Sequence, residues 1–142
     1  MFDWLWKKKR NEVEEFPDNE AAFRHACSIG YKPLIDALIP ALVEEEGELG
    51  RDGERTFLIR LASAPGRGPV TLWSCTLKES PQHPKPGDFV GFRIVTIASD
   101  LPEQYSLIGY LACRLDPVLV EGKGWRVAQS YTPANIKRAL RL

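Results

Sequence analysis

The run from Gly87 to Tyr131 constrains this chain more than any other feature. Its first segment, Gly87-Asp88-Phe89-Val90-Gly91-Phe92-Arg93-Ile94-Val95-Thr96-Ile97, is dense in the β-branched and aromatic residues that suit a pleated, half-buried surface. Both alternating faces of this segment are mostly apolar, as in a strand covered on both sides. Phe89, Gly91, Arg93, Val95 and Ile97 share one face; Asp88, Val90, Phe92, Ile94 and Thr96 share the other. Tyr105 to Leu115 follows as its partner, with Leu107, Gly109, Leu111, Cys113 and Leu115 on the more apolar side. Asp116-Pro117 should interrupt, because proline brings no donor to a ladder. Val118 to Glu121 and Trp125 to Tyr131 then flank a Gly122-Lys123-Gly124 turn.

Upstream the punctuation is also clear. Strands are expected over Arg55 to Ala62 and Val70 to Leu77, separated by Pro65-Gly66-Arg67-Gly68-Pro69. Ser80 to Gly87 carries three prolines and should be an extended surface loop. Asp18 reads as the N-cap of a short helix with Glu20 in its first turn. Ala22, Phe23, Ala26, Cys27 and Ile29 form its buried stripe, and Gly30 ends it. Thr132-Pro133 opens a C-terminal helix, with Ile136, Ala139 and Leu140 on one side and Lys137, Arg138 and Arg141 near its negative end. Lys32 to Glu46 is ambiguous: Leu34, Ala37, Leu38 and Ala41 fit one helical face, yet Pro40 breaks it. The spacing favours a short helical turn followed by a strand; the alternative is an edge strand over Ile39 to Glu46, where proline is tolerated.

The fold expected is therefore α+β: a small curved antiparallel β-sheet or barrel of about six strands, with short N- and C-terminal helices. The 142 residues suit one domain over 17–142, preceded by a flexible arm over 1–16. A chain of this length buries about 68–70% of the surface its unfolded form exposes, so it needs no metal or disulfide to fold. The three cysteines, Cys27, Cys75 and Cys113, are odd in number and widely spaced, which speaks for thiols in a reducing cytoplasm. The N-terminus places its apolar residues before its charges, the reverse of a secretory signal. No apolar run approaches the roughly 20 residues that span a bilayer.

Candidate chemistry is sparse. Gly66-Arg67-Gly68 precedes a strand, whereas a phosphate-cradling loop follows one and opens a helix. His25 and Cys27 fall about 200° apart on a helix, so they cannot grip one metal; His25 is expected on the surface and Cys27 packed. Cys75 sits mid-strand with no positive surroundings to activate it towards His83. Asp88, Asp100, Glu103, Asp116 and Glu121 occupy turns and strand ends. No catalytic residue, metal set or cofactor is assigned.

Two surfaces stand out instead. Arg60, Arg93, Arg114 and Arg126 are expected to converge with Tyr110 on one exposed sheet face, able to hold an anion or a single nucleic-acid strand. Lys plus Arg equals Asp plus Glu at 19 each, so binding driven by bulk charge is disfavoured. The second surface is the arm, where Phe2, Trp4 and Trp6 precede Lys7, Lys8, Lys9 and Arg10. Rings beside cations suit a protein partner or peripheral contact with a bilayer surface. The leading expectation is a non-catalytic binding or accessory module acting through protein–protein contacts.

Overall fold

The computed structural model describes residues 12–49, 55–62, 70–76, 84–101 and 104–131. These contain seven strands and one helix: β1 (Val13–Glu15), α1 (Asn19–Ile29), β2 (Leu38–Leu49), β3 (Arg55–Leu61), β4 (Val70–Thr76), β5 (Phe89–Leu101), β6 (Gln104–Val120) and β7 (Gly124–Ser130). All pairings are antiparallel, in the order β1-β6-β5-β2-β3-β4. Cys113 and Arg114 pair with β5 and with β7 at once, so β7 lies on the opposite edge of β6 from β5. β1 continues the column of β5, beside Val118 to Val120. The sheet curls until β4 approaches β6, but no ladder joins them and the sheet stays open.

The inner face of the curl is filled by Ile39, Phe57, Ile59, Phe92, Ile94 and Leu111, among others. Burial of such side chains stabilises by about 1.5–3 kcal/mol each. The other face carries α1. Asp18 caps this helix by accepting from the Ala21 N–H at 2.8 Å, and Gly30 ends it in the left-handed conformation at φ 72°. Ala22, Phe23 and Ala26 recur at helical spacing and pack on Phe89, Cys113 and Leu115. The expectation for Phe89 to Ile94 therefore holds: Phe89, Val90, Gly91, Phe92 and Ile94 are all buried, from both sides.

Pro40 sits in a central strand, not on an edge. The Ala62 N–H donates to the Pro40 carbonyl at 2.9 Å, and proline cannot return the bond. The Tyr31 N–H supplies it instead, donating to the Ala62 carbonyl at 3.2 Å. Leu34 also departs from expectation. Residues 32–34 are not helical, and a turn at 35–36 leads into β2.

Asp116-Pro117 does not interrupt β6, which runs unbroken to Val120. Pro117 faces Phe16 just past the end of β1, so its missing donor costs a single terminal bond, and its carbonyl still accepts from the Phe16 N–H at 2.9 Å. The sheet also reaches further towards the N-terminus than expected, since Val13 to Glu15 form β1. The C-terminal helix expected after Thr132 lies outside the described residues, as does the Pro65 to Pro69 connection.

Candidate functional site

The register decides where each arginine stands. Leu42 pairs with Arg60, Leu38 pairs with Arg93, and Arg93 pairs with Tyr110. Leu38 and Leu42 are four apart on β2, so Arg60, Arg93 and Tyr110 share the face that bears α1. Arg114 instead pairs with Val90, whose partner Ala41 belongs to the inner face. The cause is a bulge: Gly91 pairs with Cys113 but Phe92 pairs with Leu111, and the extra residue, Ala112, inverts the alternation. Arg126 alternates with Trp125, which packs edge-on against Phe89 beneath α1, so Arg126 also points away from the helix side. The structure thus brings Arg93 and Tyr110 together and splits the four cations between two faces.

Among the described residues, three of the four have partners. Arg60 ion-pairs with Glu44. Arg93 Nη1 donates to the Asp36 carbonyl at 2.8 Å. Arg126 Nε meets Asp116 Oδ2 at 2.9 Å. The arm residues Phe2, Trp4, Trp6, Lys7, Lys8, Lys9 and Arg10 lie outside the described residues.

What sequence reasoning missed is the segment that Arg93 clamps. Asp36 takes φ 69°, a left-handed conformation that Asp tolerates better than most residues. Its N–H donates to the Ile94 carbonyl at 2.7 Å, the Ile94 N–H donates to the Ala37 carbonyl at 3.0 Å, and the Ala37 N–H donates to the Leu34 carbonyl at 3.0 Å. The turn is stitched to β5 at its base and presents Leu34 and Ile35 at its tip, 59% and 58% exposed. Two adjacent aliphatic residues ahead of an Asp are the available signal, and the fit of Leu34 to a helical stripe hides it.

A shallow groove of about 440 Å³ lies at the β1 edge, lined by Glu12, Val13, Glu14, Leu119 and Glu121. The Glu121 N–H donates to the Glu12 carbonyl at 2.9 Å, which sets those two residues opposite each other. Glu14 pairs with Leu119. Glu12, Glu14, Leu119 and Glu121 therefore share one face, with three like charges side by side. Among the described residues, no ion pair reaches these glutamates.

His25 and Cys27 exchange their expected places. His25 is half-buried against Phe16 and Trp125, with ring centroids 5.0 and 6.2 Å away. Cys27 is exposed, and Cys113 is buried against Gly91. Partial burial of the sulfur pushes the Cys27 thiol above its ordinary value, and the Arg60 charge opposes that rise. Asp88 sits at a turn as expected and accepts from the Lys85 N–H at 2.9 Å, whereas Asp116 lies inside β6, not at a turn or strand end, and pairs with Arg126. Among the described residues, no three His, Cys, Asp or Glu side chains gather as a metal site would require. No helix among them is long and apolar enough to cross a membrane. Compared with known proteins, the chain matches no family model, no curated sequence and no solved structure.

Proposed function

We propose that this chain is a non-catalytic binding module that acts through protein–protein contacts. The observation that carries the reading is the Leu34-Ile35 knuckle. Scattered single apolar residues on a surface are ordinary. An adjacent pair held out by a hydrogen-bonded turn has the form of an interface anchor, because docking it costs little loop entropy. Covering each side chain stabilises by about 1.5–3 kcal/mol. The aromatic and basic arm, Phe2 to Arg10, offers a second contact by its composition.

The test compares three baits in extract of the source cells: the intact chain, Leu34→Asp/Ile35→Asp, and a chain lacking Met1 to Arg10. A partner retained by the intact chain and lost with the knuckle variant, while thermal unfolding is unchanged, supports the reading. Retention of nothing by the intact chain, or of the same partner by every bait, overturns it. The arginines supply the competing outcome. Single-stranded oligonucleotide binding that is steeply salt-dependent and lost in Arg60→Ala/Arg93→Ala, which share one face, would replace protein contact with nucleic-acid contact.

A further inference from the structure

We draw no further inference here: the strongest candidate, the groove at the outer edge of β1 where Glu12, Glu14 and Glu121 surround Leu119, is an acidic cluster on an exposed strand edge, and nothing among the described residues shows what covers it.

Discussion

Removing the Trp125 side chain should loosen α1 from the sheet. The indole ring stands edge-on to Phe89 at 4.9 Å, tilted against Phe16 at 5.5 Å and edge-on to His25 at 6.2 Å. Its Nε1 donates to Tyr31 Oη at 3.0 Å. Trp125 thus ties β7, the entry to α1, α1 itself and the residue that completes the Pro40 ladder. Truncating a large aromatic side chain in a full core costs about 3–5 kcal/mol. Trp125 is only partly buried, which places Trp125→Ala at the low end, about 3 kcal/mol. Trp125→Phe keeps the ring contacts and loses one hydrogen bond, so it should cost about 1 kcal/mol. The diagnostic is the gap of about 2 kcal/mol between the two variants, and the ring contacts carry it. Urea unfolding followed by far-ultraviolet circular dichroism measures it, because fluorescence would change with the mutated ring itself. An unchanged denaturant slope confirms that only stability moved. A cost below about 1 kcal/mol for Trp125→Ala would refute the reasoning, since the ring cluster would then not be what holds the helix down.

Gly109→Ala should cost about 3 kcal/mol or prevent folding, because a Cβ there would collide with the Arg93 carbonyl and with the Phe92 ring; a wild-type thermal midpoint would contradict this. Burial, reinforced by Asp88 and Cys113 and opposed by Arg114, raises the Tyr131 phenol above its ordinary value of 10.0. The folded state therefore favours the protonated ring, and this contribution is complete below about pH 10 and lost as pH rises further, so Tyr131→Phe should flatten the alkaline fall in unfolding free energy. Cys27 should alkylate more slowly at mildly alkaline pH than an unburied thiol, and Arg60→Ala should slow it again by removing the charge that favours thiolate; peptide-resolved mass spectrometry would show either result.

Much of the sheet was legible because its signals are local. Alternation over Phe89 to Ile94 needs no distant information, and two apolar faces on one strand imply cover on both sides, which the curl and α1 provide. The arginine face was not legible because parity is. A single bulge at Ala112 transfers Arg114 to the other side of the sheet, and no residue type in Tyr110 to Leu115 announces it. Pro40 looked like an edge residue because proline lacks a donor. It survives in the centre because the Tyr31 N–H, from another part of the chain, takes the carbonyl left over. The Leu34-Ile35 tip was hidden because Leu34 fits, with Ala37, Leu38 and Ala41, a helical face that residues 32–34 do not form. Trp125 read as one more strand aromatic, since its hydrogen-bond partner stands at Tyr31, beyond any local pattern.

The account rests on β2 and β5 lying at the heart of an open, curled sheet, enclosed by the curl on one side and by α1 on the other. Residue-resolved hydrogen exchange under native conditions tests this most directly. The account predicts that the amides of Ile39, Ala41, Phe92 and Ile94 exchange only through global unfolding, at the free energy that urea titration reports. Exchange of those four as fast as the exposed turn at Glu121 to Lys123 would contradict it.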